Sequence, residues 1–203
     1  MIYKLLNINE LCSDLQLYNK AYSEMSLERQ QKADRYKNPK DKYRCVFADM
    51  LLRDMLRKDF GLSEPVFYTD KKGKPHLVGD MLYFNLSHQG DYVACAVSER
   101  PVGIDIGQIR KVDIPLINRV CTEDELAYVM GSSDDVNDEV CERFMRIWTA
   151  KEAYLKYTGE GIKGGLKSIN TANKDGIITI PVQNLLLQQF TEQDYICTII
   201  SEN

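Results

Sequence analysis

The heptapeptide VGIDIGQ, from Val102 to Gln108, puts an acid into a strand that is otherwise apolar. Alternation sets Val102, Ile104 and Ile106 on one face and Gly103, Asp105 and Gly107 on the other. Glycines on either side leave space beside the Asp105 carboxylate. That suits a hard cation which takes oxygen ligands and keeps several waters, as Mg²⁺ does. The plain alternative is an aspartate facing solvent on a half-exposed sheet. A second set lies in FMRIWTAKEAYLKYTGEG. On a helix, Val140, Phe144, Ile147, Trp148 and Leu155 share an apolar sector, with Glu152 and Lys156 four residues apart on its edge. Those two also read as a solvated helix pair worth ~0.3–0.5 kcal/mol. Lys151 projects near the middle of the sector, where an unpaired lysine would lose its hydration.

Three further segments favour anions. In KKGKPHL a Gly-Lys-Pro turn offers Lys74 and backbone N–H groups. Ser87 and His88 stand at a strand end, where a hydroxyl and an imidazole can both meet a phosphate oxygen. Arg29, Lys32, Arg35, Lys37, Lys40, Lys42 and Arg44 crowd one short region. Each has a bland counterpart, since lysine-rich loops are usually just soluble; His76 is placed in that class. Oxygen ligands for a divalent ion, dispersed cations and no nucleophile triad together point to displacement at a phosphoryl group, where catalysis is mostly positioning and charge neutralisation. With no GxxxxGK[ST], this is not a P-loop enzyme.

The elements that must hold these residues follow from the pattern. IYKLLNI is an opening strand, and Ser26 caps a helix over SLERQQKADRY. Pro39 opens a second helix that runs from about Lys40 to Phe60 and is closed by Gly61. VFY is strand-like, DKKGKP is a turn or loop, and LYFNLSH with YVACAVS makes a hairpin around Gln89–Asp91. VGIDIGQ is the next strand. Thr122 and Glu125 form a capping box, GSSDDVND is a loop, and a long helix spans about Asn137 to Thr158 before Gly159. Strands are expected around GIITI and DYICTII. A long helix with strands, twice over, suggests two similar α+β halves.

The 203 residues suffice to bury a core without a disulfide or metal staple. Six scattered cysteines without a Cys-x-x-Cys pair match neither zinc spacing nor a disulfide framework. The net charge of −4 argues against a nucleic-acid or membrane-surface binder. No stretch reads as a signal peptide or a spanning helix, so a cytoplasmic location is expected.

The ordered set GKP (Gly73–Pro75), FNLSH (Phe84–His88), VGIDI (Val102–Ile106) and WTAKEAYLK (Trp148–Lys156) closely resembles the Sfp-type 4′-phosphopantetheinyl transferases, in the holo-acyl-carrier-protein synthase superfamily. The resemblance spans nearly the whole chain. It implies two pseudo-symmetric α+β halves, 1–100 and 101–203, each a small mostly antiparallel sheet packed with a long helix, with coenzyme A in a cleft between them. The implied reaction moves the 4′-phosphopantetheine arm of coenzyme A to a serine of an apo acyl- or peptidyl-carrier protein and releases adenosine 3′,5′-bisphosphate. Mg²⁺ is the implied cofactor, and a monomer the expected state.

By the same resemblance Asp105 and Glu152 are metal ligands, and Glu152 helps deprotonate the incoming serine. Lys156, with Lys151, neutralises the pyrophosphate. Lys74, Pro75, Ser87, His88 and Arg44 meet the adenosine phosphates, joined by Arg29 and Lys32. The family's usual second acid, two residues after the first, is here Gly107, whose backbone carbonyl or a water would stand in at the metal. The smaller holo-acyl-carrier-protein synthases manage with one Asp and one Glu. The alternative reading is a catalytically degenerate homologue that binds coenzyme A or a carrier protein.

Overall fold

The computed structural model describes residues 1–79, 81–161, 165–173, 175–180 and 182–203. The chain divides into two units, Met1–Glu99 and Arg100–Asn203.

In the first unit, β1 (Ile2–Asn7) pairs with β5 (Tyr92–Ser98), which in turn pairs with β4 (Tyr83–Gln89), all antiparallel. Three helices accompany this sheet: α1 (Leu15–Glu24), α2 (Leu27–Asp34) and α3 (Pro39–Phe60). Each starts at a side-chain cap, with Asp14, Ser26 and Asn38 accepting from Leu17, Arg29 and Lys40 N–H groups respectively. Helix α3 carries Pro39 in its first turn and ends at Gly61, whose φ of 70° is open to glycine at no steric cost. Its inner face packs Phe47, Leu52, Met55 and Leu56 against Val93 and Val97 of β5. A short hairpin of β2 (Phe67–Thr69) and β3 (Pro75–Leu77) completes the unit.

The second unit has the same strand plan. Its first strand, β6 (Val102–Gln108), pairs with the last, β8 (Tyr195–Glu202), which pairs with the penultimate, β7 (Leu185–Glu192). In both units a terminal hairpin places its second strand at the centre of the sheet, beside the unit's first strand. Helices α4 (Ile114–Val120), α5 (Glu123–Met130) and α6 (Asp138–Thr158) follow β6. Asn137 caps α6 at its start and Gly159, at φ 66°, closes it. Thr122 and Glu125 form the reciprocal capping box of α5. Among the described residues no helix is long and apolar enough to cross a membrane.

Besides the short strand β3, to which the sequence reading assigned no element, four elements depart from it. GIITI is no strand: Ala172 and Ile178 make one isolated bridge around a tight turn, too short to extend into a ladder. Strand β7 was not expected, because Gln193 takes φ 54° in its hairpin turn and does not advertise a positive-φ position as Gly or Asn would. Helices α1 and α4, about three and two turns long, are too short to be stable alone and gain their stability from packing.

Gly103 corrects the view that both glycines of β6 leave space beside the acid. A Cβ there would overlap the Ala153 carbonyl oxygen and stand 2.7 Å from the Tyr157 nitrogen, both backbone atoms of α6. The missing side chain lets the helix lie directly on the strand. Gly103→Ala is therefore expected to destabilise the unit by about 1–3 kcal/mol through overpacking. A thermal melt indistinguishable from wild type would rule out this close approach.

Candidate active site

The close approach at Gly103 brings the α6 face carrying Glu152 and Lys156 onto β6. Lys156 Nζ donates to Asp105 Oδ1 at 2.6 Å. The two residues lie 51 positions apart, so the helix pair considered from sequence is in fact a bond from helix to strand. Asp105 is 6% exposed, which removes the solvent-facing alternative. Glu152 is half-buried and makes no ion pair among the described residues. Burial raises its carboxyl above the usual range; the nearby Asp105 charge adds to the rise and Lys156 opposes it. Cys197 on β8 feels the same environment: burial first, then Asp105, push its thiol up to about 12, so it is held protonated.

The helix is fixed against the sheet by polar bonds that sequence reasoning missed. Thr198 of β8 is the cross-strand partner of Asp105. Its hydroxyl meets that of Thr149 on α6 at 2.8 Å, and Thr149 donates to the Met145 carbonyl at 2.9 Å. Gln189 of β7 donates to Thr198 Oγ1 at 2.8 Å and to the Arg146 carbonyl at 2.9 Å. Both threonines are fully buried, so every one of these groups needs its partner. Threonine and glutamine are too common in sequence to have flagged this arrangement.

Lys151 is the clearest correction. It was expected to neutralise pyrophosphate, but it is 0% exposed. Its three N–H groups go to Glu125 Oε2 at 2.5 Å and to the carbonyls of Val120 at 2.7 Å and Leu166 at 3.0 Å. The other Glu125 oxygen accepts from Thr171 N and Thr171 Oγ1, and Oε2 also accepts from Thr122 N. With no N–H left over, Lys151 ties α6 to the starts and ends of its neighbours and has nothing to offer a ligand.

The donors left for a divalent cation are the carboxylates of Asp105 and Glu152. Asp105 is buried and paired with Lys156, and Glu152 is half-buried, its carboxyl raised first by burial and then by the nearby Asp105 charge. Among the described residues no cluster of three or more His, Cys, Asp or Glu side chains forms a closed metal cage. Mg²⁺ does not need one, since it is commonly held by one or two carboxylates with waters and substrate phosphates. Gly107 is buried in β6 opposite Ile196 and offers no side-chain ligand.

In the first unit a cavity of about 150 Å³ is lined by Arg29, Lys32, Tyr36, Pro75, Asn85 and His88, among others. It thus gathers four of the residues expected to meet phosphate: Arg29, Lys32, Pro75 and His88. The other three do not line it. Arg44 is engaged by Asp41 Oδ1 at 2.6 Å and the Gly90 carbonyl at 3.0 Å. Ser87 is buried, and the two-residue period of β4 turns it to the face opposite His88. Lys74 is half-buried beside the Asp70 turn; burial lowers its ammonium, against the pull of Asp70. That turn exists because Asp70 Oδ1 accepts from Lys72 N and Lys74 N at 2.8 and 2.9 Å, while Oδ2 meets His76 Nε2 at 3.1 Å. His76 therefore has the structural place expected of it.

Residues 101–200 match the model of the 4′-phosphopantetheinyl transferase superfamily, and residues 13–100 match that of the 4′-phosphopantetheinyl transferase N-terminal region. The chain belongs to the 4′-phosphopantetheinyl transferase superfamily. It is 36% identical over 151 residues to the 4′-phosphopantetheinyl transferase gsp of Aneurinibacillus migulanus, covering 73% of this chain and 62% of that protein. To psf-1 of Bacillus pumilus it is 32% identical, over 77% of this chain and 67% of the relative. To Sfp of Bacillus subtilis strain 168 it is 29% identical, over 77% and 70%. The matched stretch is thus about two thirds of the length of these transferases. Both the β6–α6 site and the cationic cavity of the first unit fall inside the regions that match the superfamily.

Proposed function

We propose that the chain transfers the 4′-phosphopantetheine arm of coenzyme A to a serine hydroxyl of an apo acyl- or peptidyl-carrier protein. The observation that carries this reading is the Asp105–Lys156 bond near Glu152, a buried acid and a half-buried acid with one cation, in a member of this superfamily. Asp105 and Glu152 would hold Mg²⁺, which would neutralise the coenzyme A pyrophosphate as the serine oxygen bonds to the phosphorus of the phosphopantetheine and that phosphorus's bond to the anhydride oxygen breaks. Lys156 orients Asp105 and offers positive charge to the leaving side. Glu152, with its carboxyl raised, is suited to accept the serine proton. In the first unit, Arg29, Lys32 and His88 offer the cationic cavity to the adenosine phosphates. Released adenosine 3′,5′-bisphosphate balances the transfer.

The direct test mixes the protein, coenzyme A, Mg²⁺ and an apo carrier protein and records the carrier's intact mass. A gain of one phosphopantetheine is expected. Coenzyme A binding with no mass gain on any of several carriers would favour the degenerate, non-catalytic homologue instead.

Gly107→Glu restores the acid that the family resemblance places two residues after Asp105. It is expected to fold and to reach half-maximal activity at a lower Mg²⁺ concentration. An unchanged Mg²⁺ titration in a folded variant would show that this strand position does not face the metal; an unfolded one would show that the glycine serves packing.

A further inference from the structure

Helix α3 buries a carboxylate, Asp49, among Ala48, Leu51 and Leu52, with 3% of the residue exposed. A buried carboxylate must be paired, and two arginines share this one. Arg53, one turn along α3, donates from Nε to Asp49 Oδ2 at 2.6 Å and lies over the Phe67 ring, 5.1 Å from its centroid. Arg29 of α2 sets its Nε 3.4 Å from Asp49 Oδ1. Arg29 also lines the 150 Å³ cationic cavity and, with Asp49, a neighbouring one of about 100 Å³. No hydrogen bond among the described residues claims its terminal nitrogens, and Lys32 beside it makes no ion pair there. One negative charge thus serves two arginines, and the cavity keeps positive charge in excess.

We propose that Asp49 is a positioning residue for the cationic cavity: anchored by Arg53, it holds the Nε edge of Arg29 and so presents the free end of the guanidinium to an anion. The proposal rests on the reading of that cavity as the site for coenzyme A phosphates. A guanidinium already held in place loses less freedom when an anion arrives, and its fork is matched to phosphate. Asp49 acts through Arg29 and touches no ligand itself.

The sign of the effect separates this role from simple electrostatics. Removing a carboxylate beside an anion site should strengthen anion binding if charge alone matters. If Asp49 positions Arg29, Asp49→Asn should weaken it. Calorimetric titration with coenzyme A is expected to show a loss of about five- to twentyfold in Asp49→Asn, and no further loss when the same change is made in Arg29→Ala. In turnover the KM for coenzyme A should rise with kcat unchanged, which a general loss of stability would not produce.

Asp49→Glu keeps the charge but moves the carboxylate by one methylene. It should also weaken binding, and it carries the test if Asp49→Asn does not fold. Unchanged or tighter binding in a folded Asp49 variant would overturn the proposal, as would an equal loss in the Arg29→Ala background. Wild-type binding by Arg29→Ala itself would instead overturn the reading of the cavity.

Discussion

Asp105→Ala and Glu152→Ala should each lower carrier modification by about 10²–10³-fold or more while leaving the fold intact. The estimate takes each carboxylate as one fixed group aimed at charge that develops during phosphoryl displacement. Stability should respond differently from activity. Asp105→Ala removes one bond of Lys156, whose side chain is 28% exposed, so the loss is of the order of 1 kcal/mol. Glu152→Ala should not destabilise at neutral pH and can raise the melting temperature. Because its carboxyl is raised in the folded chain, the native state binds more protons than the unfolded state over the interval between the two values. Its ionisation therefore costs stability as pH rises through that interval, and the cost remains above it. Full activity in a folded Asp105→Ala variant would remove this residue from the reaction. Transfer by Glu152→Ala at the wild-type rate would do the same for Glu152.

The largest stability effect is expected at Lys151. Lys151→Met leaves Glu125 buried and without its cation, at a cost of about 3–5 kcal/mol. For a chain of this length that corresponds to a fall of about 6–20 °C in Tm. Glu125→Gln should cost a similar amount by stranding the lysine. The double variant removes both charges and should be closer to wild type than the sum of the singles, since neither partner is left alone. Chemical denaturation of the four proteins measures this coupling. Additive losses would mean that the pair does not act as a unit. Coenzyme A affinity should be unchanged in whichever of these variants folds, because every Lys151 N–H is already taken inside the protein.

The long helices were legible because their signals are local. Asn38 and Pro39 start α3, Gly61 ends it, and the apolar period between them needs no knowledge of the partner. Thr122 with Glu125, and Asn137 with Gly159, work in the same way for α5 and α6. Of the candidate acids, Asp105 was legible for a related reason. A lone aspartate between isoleucines breaks the pattern that the surrounding chain sets, whereas a glutamate four residues before a lysine is an ordinary helix pair that only the family resemblance marks.

The residues read alone thus mark the type of each long element and single out Asp105 and Lys151 as out of place, while Glu152 and Lys156 stand out only through the family resemblance. The tertiary structure decided their partners. Lys156 reaches Asp105 instead of Glu152 because Gly103 lets α6 lie on β6, a distance that no spacing encodes. Lys151, one residue from Glu152, faces the other way and closes on Glu125. Adjacent helix positions differ by about 100°, so two neighbouring charges can serve unrelated ends. Only the packing of the helix says which one faces a ligand and which one holds the fold.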